Sequence, residues 1–260
     1  NLNHITTGLN TPTWTGLWLY VLWMTVVAAS WFAASPLTLR YPRLVQRTGR
    51  RLVGWAKWLL EWSDPRSTYP DAAISPFLWP NGTLPASQTY KQLRDTGFRD
   101  YTLRIGGLVE NPVVLTYEQI KAIPKQEQIT QHYCIQGWSG IAKWGGVPMK
   151  EIVDLVHPLP QAKWVVFYSF ADGADGGRYY DAHNIRHMQH RLTLLAYEMN
   201  GEALNELHGA PLRLRNELEL GFKHVKWVEA IEFVDSFADL GAGQGGYNED
   251  HEFYGYRESI

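Results

Sequence analysis

The chain has 260 residues, 45% of them hydrophobic, and this is long enough to bury a full hydrophobic core. Its 24 basic and 26 acidic residues nearly cancel, so no global positive field attracts nucleic acid, and we expect no nucleic-acid partner. The single cysteine, Cys134, excludes an internal disulfide and a CxxC metal site.

The N-terminal region has the composition of a membrane span. Positions 5–39 contain no Asp, Glu, Lys or Arg, and the segment 14–35 is predominantly apolar. As a helix that segment would extend roughly 33 Å, against about 30 Å of hydrocarbon in a bilayer. We therefore predict one transmembrane helix at 14–35. A buried core helix and a signal peptide are the alternatives, although a signal peptide would begin with a basic region that is absent here.

A cluster of basic residues follows the apolar segment, while the preceding flank has none. Because short cytoplasmic loops are enriched in Lys and Arg, this asymmetry predicts that the C-terminal side lies in the cytoplasm. The exported side of the membrane is the alternative. The residues of the cluster are Arg40, Arg43, Arg47, Arg50 and Arg51.

Two further segments connect this region to the globular part. In 44–62, large apolar residues recur at spacings of three and four between arginines, which predicts a helix lying in the headgroup layer. A surface helix packed on the globular domain is the alternative. The segment 63–89 has five prolines and reads as an extended connector. We predict a membrane anchor at 1–62, this connector, and a globular domain at 90–260.

The globular part contains β-rich patterns with short helices between them. Alternating or continuous apolar, β-branched runs predict strands at 101–109, 113–116, 163–170, 192–198, 211–215 and 225–234. A short helix is predicted at 116–123, with Thr116 as its cap and Gln119 as the partner in a capping box, and another at 149–156. No regular βαβ rhythm is present. The predicted class is therefore α+β, rich in β.

The residues around Cys134 are typical of a loop that presents a side chain to a binding site. In 131–150, four glycines and one proline predict a backbone that turns repeatedly, and Trp138 and Trp144 supply rigid apolar walls. By residue chemistry alone, Cys134 is a metal ligand, a nucleophile or a small buried hydrophobe.

Two groups of cationic or imidazole side chains are also candidate sites. His183, His187 and His190 would share one face of a helix and bind a metal, or else belong to a solvated polar helix. In 208–227, cations alternate with glycines and apolar residues, which suits an anionic group such as a phosphate. Surface cations beside two glutamates are the alternative interpretation of that segment.

Several stretches, covering residues from about 70 to 260, resemble the sulfite oxidase fold family of molybdenum enzymes, and especially its methionine sulfoxide reductase branch. They are YCIQGWSGIAKWGGVPM, LLAYEMNGEAL, HGAPLR, GFKHVKW and the terminal EDHEFYGY, in the order of the family. The resemblance implies a sulfite oxidase-type molybdopterin-binding fold and a molybdenum–molybdopterin cofactor. It also implies cofactor contacts from near position 74.

The resemblance implies roles for individual residues. Cys134 would be the protein thiolate on molybdenum, as suits a soft metal bound by sulfur. Residues implied to hold the pterin and its phosphate are Ser169, His208, Arg213, His224, Val225 and Lys226. Ser75 and Phe77 fall at the early cofactor-contacting segment, and the terminal Tyr247, Phe253 and Tyr254 are expected at the pocket mouth.

The resemblance also bears on the substrate. Sulfite-oxidising members carry arginines four and five places beyond the cysteine, whereas this chain has Trp138 and Ser139 there. An aromatic wall, with Trp138 as a catalytic-site residue, better suits a neutral S-oxide or N-oxide than a sulfite dianion. We expect a small-molecule oxo substrate to be reduced with electrons from a haem-containing or quinone-linked partner in the bilayer. A sulfite dehydrogenase and a non-catalytic, membrane-tethered binding module are the alternatives.

Overall fold

The computed structural model describes residues 14–42, 44–45, 48–49, 52 and 69–251. It divides into two compact units, Asn1–Ala56 and Lys57–Ile260. The headgroup helix predicted at 44–62 lies almost entirely outside the described residues, as do Phe253 and Tyr254. The predicted boundaries between anchor, connector and globular domain stay predictions.

Among the described residues of the first unit is a long helix, α1, spanning Trp14–Arg40. It includes the predicted span and continues five residues further, through Pro36, because the residues that follow are still mostly apolar. Within it, Trp18–Arg40 has a mean hydropathy of 1.4, and none of this segment is buried within the described structure. The helix is thus long and apolar enough to cross a bilayer.

The second unit consists of strands and short helices. Its helices are α2 Gln88–Asp95, α3 Tyr117–Ala122, α4 Met149–Val156, α5 Ile185–Met188 and α6 Tyr247–His251. Its strands are β1 Thr102–Gly107, β2 Val113–Thr116, β3 Gln126–Tyr133, β4 Ser139–Pro148, β5 Trp164–Asp172, β6 Arg178–Asn184, β7 Thr193–Met199, β8 Glu202–Ala203, β9 Arg213–Asn216 and β10 Val228–Val234. Short 3-10 helices occupy Asp71–Ala73, Glu206–His208 and Gly221–Lys223. The predicted α+β class, rich in β, is confirmed.

Two five-stranded sheets are present in the described part of the second unit, residues 69–251. The first has the order β2-β1-β10-β5-β6, and the neighbours are antiparallel except for the parallel pair β1 and β10. The second has the order β3-β4-β7-β8, with β9 also paired to β7, and all of its pairs are antiparallel. Buried apolar residues from both sheets and from α4 share one core, including Leu103, Val147, Ile152, Phe167 and Leu195.

The sequence predicted the two helices with clear end signals accurately. Helix α3 begins after Thr116, whose side chain accepts from the backbone N–H of Gln119, while the Gln119 side chain accepts from the backbone N–H of Thr116. This is the predicted capping box. Helix α4 spans the predicted 149–156.

The prediction of a repeatedly turning backbone around Cys134 is wrong. Strand β3 pairs along its whole length with residues 139–146 of β4 as a hairpin, and the turn between them is confined to Cys134–Trp138. The glycines of β4 do not form turns; they allow neighbouring strands to pack closely. A Cβ on Gly146 would lie only 2.0 Å from the carbonyl oxygen of Leu195 in β7.

The three histidines do not share one helix face. His183 lies in β6, His187 lies in the four-residue helix α5, and His190 follows that helix. The Asn216 amide lies 3.0 Å from Nδ1 of His183 and 3.4 Å from Nδ1 of His187. Within the part of the chain that the structure describes, no group of three metal-ligating side chains is present.

Candidate functional site

A cavity of about 220 Å³ in the second unit brings distant segments of the chain together. Most of the lining comes from the turn after β3, from β5, and from the segments 78–83, 207–213 and 221–227. Seven of the residues selected from the sequence line it: Cys134, Trp138, Ser169, His208, Arg213, His224 and Lys226. Five of these seven come from segments more than 30 residues apart from Cys134, so the fold alone assembles them.

Cys134 is presented by the tight turn between β3 and β4. Its backbone N–H donates to the carbonyl of Trp138 at 2.9 Å, and the N–H of Gly137 donates to the carbonyl of Cys134 at 3.0 Å. Gly137 has φ of +90°, which a residue with a side chain rarely adopts. The thiol is free and 8% exposed, so the sulfur faces the cavity from a fixed backbone.

Trp138 forms an aromatic wall of the cavity next to this turn. Its indole Nε1–H donates to Oε1 of Gln136 at 3.3 Å, and its ring lies 5.5 Å from the ring of His132. The indole also packs partly against the apolar cluster that contains Leu78. The wall beside the thiol is therefore aromatic and uncharged.

Arg213 is a buried cation without a counterion among the described residues. Its Nη1 donates to the carbonyl of His208 at 3.0 Å, whereas its Nε has no partner. Burial, and then the charge of Arg215, push the pKa of Arg213 well below its usual value. A guanidinium nevertheless stays protonated in proteins, so this positive charge requires an anion from the cavity side.

His224 offers the cavity an acceptor. Its Nε2–H donates to the carbonyls of Asn216 and Glu219, at 2.7 and 3.0 Å. Burial, and then nearby Arg215, lower the pKa of His224 well below its usual value, so the ring is neutral and Nδ1 carries a lone pair. That buried Nδ1 has no partner, and an N–H of a ligand would satisfy it.

Lys226 joins two segments at the cavity. Its ammonium donates to the carbonyls of Asn81 and Leu207, the latter at 2.8 Å, and lies 4.0 Å from the centre of the Trp227 ring. Burial, and then Arg213, lower the pKa of Lys226 to about 7. An anion bound next to it would favour the protonated form.

Ser169 and His208 hold the lining in place. The Ser169 hydroxyl donates to the carbonyl of Lys226 at 2.8 Å and accepts from the N–H of Ala171 at 3.0 Å. Nε2 of His208 lies 3.0 Å from the carbonyl of Leu78, which ties the connector to the 3-10 helix Glu206–His208. Burial lowers the pKa of His208.

Four other residues selected from the sequence lie outside this lining. Ser75 pairs with β4, since its N–H donates to the Ile141 carbonyl and its Oγ accepts from the Ile141 N–H, both at 2.9 Å. Phe77 is 62% exposed and packs edge-on against Trp79. The side chain of Val225 belongs to the main core, and its N–H and carbonyl bond within the protein. Tyr247 stacks on His251.

Several lining residues were not selected from the sequence, and His132 is a buried one among them. Others include Trp79, Asn81, Tyr179 and Asn248. The signal for His132 was available, because a residue two positions before Cys134 on a strand faces the same side. It was missed because β3 was not predicted. Burial, and then Arg215, lower the pKa of His132 well below its usual value.

The chain matches the family described as oxidoreductase molybdopterin binding domain over residues 90–239. It is 30% identical, over 199 residues, to a putative protein-methionine-sulfoxide reductase subunit, YedZ1, of Azospira oryzae, covering 75% of this chain and 69% of that protein. Over 149 residues it is 34% identical to the protein-methionine-sulfoxide reductase catalytic subunit MsrP of Xanthomonas axonopodis pv. citri, covering 54% of this chain and 46% of that protein.

Among solved structures, the sulfane dehydrogenase SoxCD of Paracoccus pantotrophus aligns with a TM-score of 0.47 and 26% identity, covering 53% of this chain and 39% of that chain. The match to MsrP of Campylobacter jejuni is 30% identical over 147 residues and covers 50% of that protein. The chain thus spans about half the length of these two MsrP catalytic subunits.

Proposed function

Because this chain belongs to the family of oxidoreductases with a molybdopterin-binding domain, we propose that it reduces S-oxide or N-oxide substrates at the cavity beside Cys134. Family membership makes the chain an enzyme, a molybdopterin oxidoreductase with a molybdenum–pterin cofactor. It also confirms the resemblance to the sulfite oxidase fold family.

The residues of the cavity fit that cofactor. The buried, unpaired charge of Arg213 and the ammonium of Lys226 suit the phosphate of the pterin. The free Nδ1 of His224 suits a pterin N–H. Cys134 supplies the soft thiolate that a sulfur-bound molybdenum takes. We propose these four residues, with Ser169 and His208 supporting them, as the cofactor site. For Ser75, Phe77 and Val225 the structure offers no such contact with the cavity.

The chemistry follows from two-electron oxygen-atom transfer. When bound, the molybdenum–pterin group supplies the two-electron redox change. In the net reaction with an S-oxide, the S–O bond breaks, sulfur gains two electrons, and the oxygen leaves as water after taking two protons. The chain's own residues bind the cofactor, shape the pocket and exclude water from the apolar wall.

One observation carries the choice of substrate: Trp138 forms an uncharged wall of the cavity beside Cys134. In the family that the sequence resembles, sulfite-oxidising members carry an arginine at this position. A sulfite dianion would lack a cation there, whereas a neutral S-oxide would be desolvated against an indole at little cost. The names of the relatives, protein-methionine-sulfoxide reductase, favour an S-oxide over an N-oxide.

We propose further that helix α1 anchors the enzyme in a bilayer and that electrons arrive singly from a membrane haem or quinol. The apolar, unburied α1 supports the anchor. The arginines that follow α1 in the sequence favour the cytoplasmic side for the catalytic unit. Protease treatment of intact and opened cells would distinguish the sides, since a cytoplasmic unit is cleaved only after opening.

The test of the function uses full-length, cofactor-loaded protein in detergent with a reduced viologen dye. We expect dye oxidation with methionine sulfoxide, free or in a polypeptide, slower oxidation with an N-oxide, and negligible reduction of ferricyanide by sulfite. Sulfite turnover that exceeds S-oxide turnover would instead identify a sulfite dehydrogenase.

Cys134→Ser is the matched control for that assay. Replacing one buried sulfur with oxygen changes the volume little, so the unfolding midpoint stays close to that of the wild type. The metal loses its soft ligand, and turnover falls at least about 10²-fold. Full activity in this variant would contradict the assignment of Cys134.

A further inference from the structure

His132 faces the cavity from the same side as Cys134. It lies in β3, two residues before the cysteine, and both side chains line the cavity. Its ring is buried between two others, with centroids 5.5 Å from Trp138 and 5.4 Å from His224. The imidazole is therefore held in one place beside the thiol.

The contact at Nδ1 decides where the ring proton lies. Nη1 of Arg215 approaches Nδ1 of His132 at 2.7 Å. A guanidinium has only donors, so Nδ1 must accept with its lone pair, and a neutral ring then carries its proton on Nε2.

Arg215 is itself fixed by Glu217. The guanidinium is fully buried and donates from Nε and Nη2 to the two carboxylate oxygens, at 2.9 and 2.6 Å. One of these oxygens also accepts from Thr130 Oγ1 at 2.9 Å and from Gln128 Nε2 at 3.1 Å. Thr130 and Gln128 alternate with His132 on β3, so the carboxylate, the guanidinium and the imidazole form one rigid array.

The opposite edge of the ring lies against Gly221, and both residues line the cavity. A Cβ on Gly221 would lie 2.3 Å from Cε1 and Nε2 of His132, so only glycine leaves room for this edge. No residue in the described ranges accepts a hydrogen bond from Nε2. An acceptor on a ligand in the cavity would give this N–H a hydrogen-bond partner.

We propose that His132 is a catalytic hydrogen-bond donor whose Nε2–H binds the oxygen atom of the substrate, with Arg215 and Glu217 as positioning residues that fix the tautomer. The identity of the acceptor oxygen rests on the proposed function. A donor at this oxygen stabilises the negative charge that develops as the S–O bond breaks, so its effect falls on the chemical step.

The first experiment measures the position of the imidazole without turnover. Enzyme containing ¹⁵N-histidine is poised with pentavalent molybdenum and studied by pulsed EPR. We expect a nitrogen coupling that disappears in His132→Gln and persists in His157→Gln, whose histidine is exposed and outside the cavity lining. Equal molybdenum content in the three proteins verifies cofactor loading.

The second experiment tests whether His132 acts as a hydrogen-bond donor in catalysis or has only a structural role. His132→Leu removes the donor, and we expect kcat for an S-oxide to fall about 10²-fold with a smaller change in KM. His132→Gln presents an amide N–H near the position of Nε2, and it should keep kcat within about tenfold of the wild type.

The outcomes distinguish this inference from the proposed function. Absence of the nitrogen coupling in the wild type, or unchanged kcat in a fully loaded His132→Leu enzyme, would overturn the role of His132. An enzyme that shows the coupling but does not turn over S-oxides would support the placement of His132 and overturn the proposed function.

Discussion

Two arginines that lie two residues apart on β9 have different roles, because only one of them has a carboxylate partner among the described residues. Arg213 and Arg215 both lie over the Trp144 ring, with centroid distances of 4.8 and 4.4 Å. Arg215 is neutralised by Glu217, whereas Arg213 has no ion pair among the described residues. The charge of Arg215 is therefore balanced within the protein, and this residue has a structural role. Arg213 is the cation that remains for an anionic ligand.

The lowered pKa of Lys226 predicts how anion binding depends on pH. Its ordinary pKa of 10.5 falls to about 7, so the side chain loses its proton as pH rises through 7 when no anion is bound. An anion bound beside Lys226 keeps the side chain protonated. Binding therefore takes up a proton and weakens as pH rises. We expect the affinity of cofactor-free protein for sulfate, which does not titrate here, to fall several-fold between pH 6 and 8.5 in calorimetry.

Lys226→Met is expected to bind sulfate more weakly and without that slope. His208, another titratable group of the lining, has a pKa that burial lowers from its usual value. Lys91→Met, on the exposed side of α2, is the control and should leave the slope unchanged. The same slope in Lys226→Met as in the wild type would assign the titration to another group.

The β3–β4 hairpin is the element that organises the site. Its turn presents Cys134 and Trp138, while β3 carries His132 and the two side chains that hold Glu217. Strand β4 joins the hairpin to β7 through a register shift at Gly145 and Gly146. The hairpin is thus held in the second sheet by the close approach of β4 and β7.

Gly146→Ala tests this close approach. The added Cβ would lie 2.0 Å from a backbone oxygen and 2.6 Å from Cα of Ala196, so the strands must separate. We expect the free energy of unfolding to fall by about 2 kcal/mol in denaturant titrations of the detergent-solubilised chain. Gly106→Ala in β1, which has nothing within 4 Å, should cost less than about 0.5 kcal/mol. Equal stability of the two variants would contradict this account.

At the scale of the whole molecule, an apolar helix and a β-rich catalytic unit share one chain. The residues that match the family, 90–239, all lie within this unit, while α1 lies outside the matched range. The match to YedZ1 covers 75% of this chain, more than the matches to the MsrP catalytic subunits. We interpret α1 as an anchor that is independent of the chemistry.

Arginines in the middle of α1 test the anchor. Each charged residue at a helix centre costs about 2.5–3.5 kcal/mol of insertion free energy, so Val26→Arg with Ala29→Arg should move the chain out of carbonate-washed membranes. Val26→Leu with Ala29→Leu is the control and should stay membrane-bound. Retention of the double arginine variant in the membrane would contradict a simple transmembrane anchor.

The sequence by itself determined the features whose causes are local. Thr116 and Gln119 set the start of α3 through hydrogen bonds three residues apart, and the uncharged stretch around α1 fixed that helix by composition. The motif around Cys134 identified the family and cofactor. Only the tertiary structure decided which cations remain unpaired and which nitrogen of His132 carries the proton. Those properties depend on Glu217 and Arg215, more than 80 positions from His132 in sequence, and long-range pairing leaves no local pattern.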